Sequence, residues 1–292
     1  MLRAAIRKAR VKTKPMSTNQ LLLESYLHQL RLPIFAEQYQ PLALDAARND
    51  LSYERYLLVL AEEEVKHRER NSIERSIKNA HFPVLKELSD FDFGAIPDVP
   101  RQRILELASG GYITKAEPVI LVGNPGLGKS HVATGLALAA CRQGRRVQFY
   151  NAAGLVNELL KAQAEYRLSR FMSQALRAHL IVLDELGFIP FTSSGAALLF
   201  QFCAALYERV SVIVTSNLRF AEWSSMMGGD ERMSAALLDQ ITHRATIIEF
   251  IGTSFRLRQQ LQRVELSTAN PAVTAAVVSV STAAEVHTEM TS

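Results

Sequence analysis

The chain has 292 residues, 48% hydrophobic and 21% charged, which is ordinary folded-protein usage and excludes a disordered or membrane-spanning polypeptide. Of its 33 cations, Arg3, Arg7, Lys8, Arg10, Lys12 and Lys14 lie in residues 1–15 without an acid. The remaining 27 face 29 acids, so the formal charge of +4 comes from the leader and not from the fold. Cys141 and Cys203 stand in apolar stretches without metal-ligand spacing, which points to a reducing cytoplasm and excludes disulfide and zinc frameworks.

The basic leader, residues 1–16, is expected to be disordered. It is short and holds no serine before Met16, which argues against an organelle-targeting peptide. A flexible arm, or sequence upstream of a start at Met16, are the readings kept.

Residues 17–90 read as a helical N-terminal domain for DNA or partner contact. "STNQLLLESYLHQLRL" begins with capping residues and puts Leu22, Leu23, Tyr26, Leu27 and Leu30 on one face. "SYERYLLVLAEEEVKHRERNSIERSIKNA" keeps the helical period with no Gly or Pro, until His81-Phe82-Pro83 stops it. On that helix Val65, Ile73, Ile77 and Ala80 fall on one side. Arg68, Asn71, Arg75 and Lys78 line the other, a stripe suited to a phosphate backbone or to simple solvation beside Glu69 and Glu74. "FDFGAIPDVP" is an irregular connector, and its Phe91 and Phe93 suit an adenine site or a packed core.

Residues 91–262 read as the nucleotide-binding domain. "PVILVG", "RRVQFY", "LIVLDELG" and "VSVIVTSN" are strands alternating with helical stretches, which implies an α/β fold with a mostly parallel sheet. Residues 263–292 are Ala, Val, Thr and Ser without periodicity, and are expected to be a disordered tail.

Between the first strand and its helix stands "GNPGLGKS", a Walker A pattern. Gly123, Gly126 and Gly128 let the backbone N–H groups converge on an anion, with Asn124, Pro125, Leu127 and His131 completing the loop. Lys129 reaches the β- and γ-phosphates of ATP, and Ser130 offers its hydroxyl to Mg²⁺. The bland alternative is a glycine-rich turn. In "LIVLDELG" the apolar run carries Asp184 to a strand end, where it would complete the Mg²⁺ shell. Glu185, the next residue, would polarise a lytic water, although two acids there could also cap a helix. Asn217 follows "SVIVTS" and could bond both the γ-phosphate and that water, or serve as turn chemistry. Together they describe ATP hydrolysis, since no acceptor pocket or Arg-rich lid for a metabolite kinase is evident.

The series "LIVLDELGFIPF…ALLFQFCAALYERVSVIVTSNLRFAEW…ALLDQITHRATIIEFIGTSFR", with "NSIERSIKNAHFPVLKELSDFDF", resembles the IstB family of insertion-sequence transposition ATPases. These are AAA+ proteins similar to the DnaC helicase loader and the initiator DnaA. The resemblance, from about Leu21 to Arg258, implies an AAA+ core without a full lid domain. It also implies assembly as a homo-oligomer with ATP on double-stranded DNA, and stimulation of a DDE-type transposase. In the family an arginine finger follows Asp239. Here the position is Gln240, so the resemblance transfers the role to Arg244 or implies weak trans activation. Arg256 in "TSFR" is the remaining phosphate-contact candidate, with a surface role the alternative. Rival readings are a DnaC-like helicase loader and an ATP-gated DNA-binding assembly protein with little turnover.

Overall fold

The computed structural model describes residues 17–252 and 254. The expected leader, the tail and Arg256 lie outside them. The chain divides into two compact units, Met1–Glu74 and Arg75–Ser292. This division falls earlier than residue 90, because Ala80, Phe91 and Ile96 belong to the core of the second unit.

The first unit contains α1 (Thr18–Gln29), α2 (Pro33–Arg48) and most of α3 (Tyr53–Ala80). Ser17 caps α1 through a capping box with Gln20, and Pro33 opens α2 where no N–H is required. Of the expected apolar face of α1 only Leu27 is buried; Leu22, Leu23, Tyr26 and Leu30 are exposed. Glu64 is the unit's buried acid. One carboxylate oxygen accepts from the Ile34 N–H (3.0 Å), the other from Arg68 Nε (2.7 Å).

The second unit begins with the last turns of α3. Two short 3-10 turns, Leu88–Asp90 and Phe93–Ala95, lead to α4 (Arg101–Ala108) and α5 (Gly111–Thr114). Then come β1 (Val119–Gly123), α6 (Lys129–Arg142), β2 (Val147–Asn151), α7 (Ala152–Ala164), α8 (Leu168–Ala175) and β3 (Leu180–Leu186). The unit continues with α9 (Ser193–Leu206), β4 (Ser211–Ser216), α10 (Trp223–Met226), α11 (Glu231–Thr242) and β5 (Thr246–Phe250). The five strands are parallel in the order β2-β3-β4-β1-β5.

Both faces of this sheet are covered, which is why the strands are apolar throughout rather than alternating. In β3, Leu180 and Val182 enter one core with α6, while Ile181 and Leu183 enter the other with α7 and α9. Each buried aliphatic side chain contributes about 2 kcal/mol before entropy. The sheet is the α/β P-loop core expected. β5, the edge strand beside β1, is additional to the four strands read from the sequence.

The carboxyl ends of β1, β3 and β4 open at one end of the sheet. Because the chain leaves β1 for the far edge at β2 and returns past β4 to β5, a crevice remains there for a ligand.

Candidate nucleotide site

The loop from Gly123 to Gly128 turns directly from β1 into α6. Gly128 caps the helix in the left-handed region (φ 85°), and a Cβ there would stand 2.5 Å from the Phe91 ring. Gly126 (φ 81°) is equally constrained, since its Cβ would stand 2.2 Å from Ser254 Oγ. Only glycine satisfies both the dihedral and the close approach. The first N–H groups of α6 are thereby aimed out of the loop, forming an anion cradle. Lys129 is buried, and its ammonium donates to the carbonyls of Gly123 (2.6 Å) and Asn124 (2.8 Å).

At the end of β3, Asp184 is buried at 7% exposure, while Glu185 is exposed and left-handed (φ 60°). That unfavourable conformation, costing about 1–3 kcal/mol in a non-glycine residue, turns the second carboxylate away from the first. Thr215 of β4 joins the pair. Its hydroxyl donates to Asp184 Oδ1 (2.6 Å) and accepts the Glu185 N–H (2.9 Å). From the other side, Asn151 at the end of β2 donates through Nδ2 to Glu185 Oε2 (2.9 Å). Its Oδ1 accepts the N–H groups of Ala153 (3.1 Å) and Gly154 (3.4 Å), capping α7. Neither Asn151 nor Thr215 is among the residues singled out by motif. Their signal is the parallel register, which pairs Asn151 with Asp184 across β2 and β3.

Lys129, Ser130, Glu185 and Asn217 line one cleft of about 490 Å³, within the range of a small-molecule site. Phe91 and His131 line it too, in an edge-on ring contact at 5.4 Å. His131 Nε2 donates to the Glu87 carbonyl (2.7 Å), while the Glu87 carboxylate pairs with Arg142, which holds that carboxyl below its ordinary range. Phe91 is buried in the core, as one of its two readings had it, and also lines the cleft wall. Phe93 packs beside it at 4.8 Å and does not line the cleft.

Of the two residues expected to hold Mg²⁺, Ser130 lines the cleft, while Asp184 is buried against Thr215 and is not among the lining residues. Ser130 and Asp184 offer few oxygens, and among the described residues no three metal-ligating side chains converge. Mg²⁺ takes such sites, using phosphate oxygens and water for the rest of its shell.

Arg244 is not brought to this cleft. It precedes β5 in the left-handed region (φ 57°) and lines a separate recess with Tyr207, Gln240 and Ile241. That recess includes Pro118 and Val210, just before β1 and β4, so it lies at the end of the sheet opposite the nucleotide cleft. Gln240 Oε1 is buried there without a hydrogen-bond partner among the described residues. The α3 stripe also differs from expectation. Val65 is 54% exposed, because the first half of α3 is buried through Leu60 and Glu64 on another side. Arg68 is engaged within the first unit, donating to Glu64 and to the Arg31 carbonyl (2.6 Å). Arg75 and Lys78 are exposed in the second unit.

A family model for IstB-like ATP binding proteins matches residues 25–263. A protein of Geobacillus stearothermophilus named as ATP-binding in insertion sequence IS5376 is 34% identical over 238 residues, covering 82% of this chain and 94% of that protein. The corresponding protein of insertion sequence IS21 from Pseudomonas aeruginosa is 35% identical over 238 residues, covering 82% and 89%. Among solved structures, a DnaC helicase loader is similar with a TM-score of 0.44 and 19% identity, over 52% of this chain and 88% of that one.

Proposed function

Because this chain belongs to the IstB-like ATP binding proteins, the AAA+ P-loop proteins of IS21-type insertion sequences, we propose that it hydrolyses the ATP it binds and works as a transposition helper. In this reading the ATP-bound form assembles as a homo-oligomer on double-stranded DNA, selects the target and stimulates a DDE-type transposase. The observation that carries hydrolysis is the convergence of Lys129, Glu185 and Asn217 on one cleft. A protein using ATP only as a structural element has no need of a second carboxylate held beyond the metal-side acid.

The chemistry follows from the side chains. On binding, Lys129 exchanges the Gly123 and Asn124 carbonyls for β- and γ-phosphate oxygens, while the α6 N-terminus receives the negative charge. Ser130 and Asp184 would hold Mg²⁺, which when bound neutralises phosphate charge. Thr215 fixes which Asp184 oxygen is available. Asn217 orients a water, and Glu185 accepts its proton as the water oxygen bonds to the γ-phosphorus and the bond to the β-phosphate oxygen breaks. Phe91 and His131 form the wall for the base.

Names of relatives that place them in insertion sequences favour transposition over helicase loading. The test is transposition in vitro with the transposase encoded beside this chain. Target joining is expected to require this protein, ATP and duplex DNA together. Joining at an equal rate without the protein contradicts the reading.

A further inference from the structure

Two basic segments far apart in sequence, Arg145-Arg146 and Arg177-Ala178-His179, immediately precede β2 and β3. Parallel register pairs Val147 with Leu180, so both segments meet at one corner of the sheet, on the edge strand and its neighbour. The corner is built rather than loose. The Arg146 N–H donates to His179 Nδ1 (3.0 Å), its Nε donates to the Arg177 carbonyl (2.6 Å), and Arg145 donates to Thr114 Oγ1 (3.0 Å). Ser76 of α3 donates to the Arg145 carbonyl (2.9 Å), which brings the C-terminal turns of α3 to the same corner.

Among the described residues no carboxylate lies within ion-pair distance of Arg145, Arg146 or Arg177. This is unusual in a chain whose residues 16–292 carry more acids than bases. The His179 imidazole reports the resulting potential: its pKa is lowered first by burial, then by Arg146 and Arg145. Arg146 is exposed, and with its Nε anchored no hydrogen bond of its two terminal nitrogens is found among the described residues, so they can meet the paired oxygens of a phosphodiester.

We infer that this corner, Arg145, Arg146, Arg177 and His179, is a contact for the phosphate backbone of duplex DNA. The inference rests on the DNA-binding reading above and moves the centre of contact from the α3 stripe to the strand ends. Guanidinium groups carried just ahead of two neighbouring strands, whose backbones lie about 4.8 Å apart, can follow a row of phosphates without reading bases.

The experiment measures binding of ATP-loaded full-length protein to duplexes of two unrelated sequences across a salt series. Arg146→Gln/Arg177→Gln is expected to weaken binding to both equally and to lower the slope of log affinity against log salt by about 1.8, two phosphate contacts' worth. ATP affinity should stay unchanged, and Arg146→Lys/Arg177→Lys should keep most of the slope. Wild-type slope in the glutamine double variant overturns the inference while leaving the DNA-binding reading intact. Absence of duplex binding by the wild type overturns both.

Discussion

Asn151 and Glu185 are joined by one hydrogen bond, and the same Asn151 amide caps α7. The carboxylate assigned to the lytic water is thus tethered to the start of a helix. A partner or DNA strand that shifts α7 would release it. Asn151→Asp keeps an oxygen for the cap but removes the donor and adds a like charge. An exposed bond of this type is worth about 1 kcal/mol, so DNA-independent ATP turnover should rise about fivefold, with the melting temperature lowered by about 2–4 °C. An unaltered basal rate would show that the tether does not restrain Glu185.

Thr215→Val is nearly isosteric but leaves Asp184 Oδ1 and the Glu185 N–H without their shared partner. An unsatisfied buried group costs about 1–3 kcal/mol. The variant should melt several degrees lower, and its ATP turnover should fall more than its ATP affinity. Calorimetry and steady-state ATPase assays check both.

Gly128→Ala places a methyl group 2.5 Å from the Phe91 ring and at a φ of 85°. ATP binding should be lost. Adding Phe91→Ala removes the collision but not the dihedral strain, so the double variant should recover only part of the affinity by fluorescence titration.

Legibility in the sequence followed the range of the interaction. That Lys129, Ser130, Glu185 and Asn217 line one cleft was readable because each stands in a local pattern that follows a strand. The register that brings Asn151 and Thr215 to the acids joins residues some thirty positions apart, and no local pattern encodes it. β5 escaped because five residues at a sheet edge, "TIIEF", half exposed, carry little periodic signal. In α1 the leucines lie on a helical face as read, yet burial depends on a partner surface, and among the described residues only Leu27 of that face is buried. Arg68 has the spacing of a phosphate contact but serves the buried Glu64.

Arg244 stands at the end of the sheet opposite its own nucleotide cleft, so any action on ATP has to be on another subunit's. If it acts there, turnover per subunit should increase with protein concentration and with duplex DNA. Arg244→Ala should abolish that increase, by about 10³-fold or more at saturation, with ATP affinity nearly kept. If slow turnover instead follows from Gln240, then Gln240→Arg should accelerate hydrolysis and shorten the lifetime of the DNA complex. A rate independent of concentration in the wild type and both variants would exclude an intersubunit site.

The most direct measurement is ATP turnover of Glu185→Gln beside its ATP and duplex-DNA affinities. The substitution keeps size and hydrogen bonding but cannot accept the proton of the water. Turnover should fall about 10²–10⁴-fold, the contribution of a positioned base, while ATP-dependent DNA binding persists and becomes long-lived. Lys129→Ala should instead lose tight ATP binding. Hydrolysis by Glu185→Gln at the wild-type rate would contradict the account.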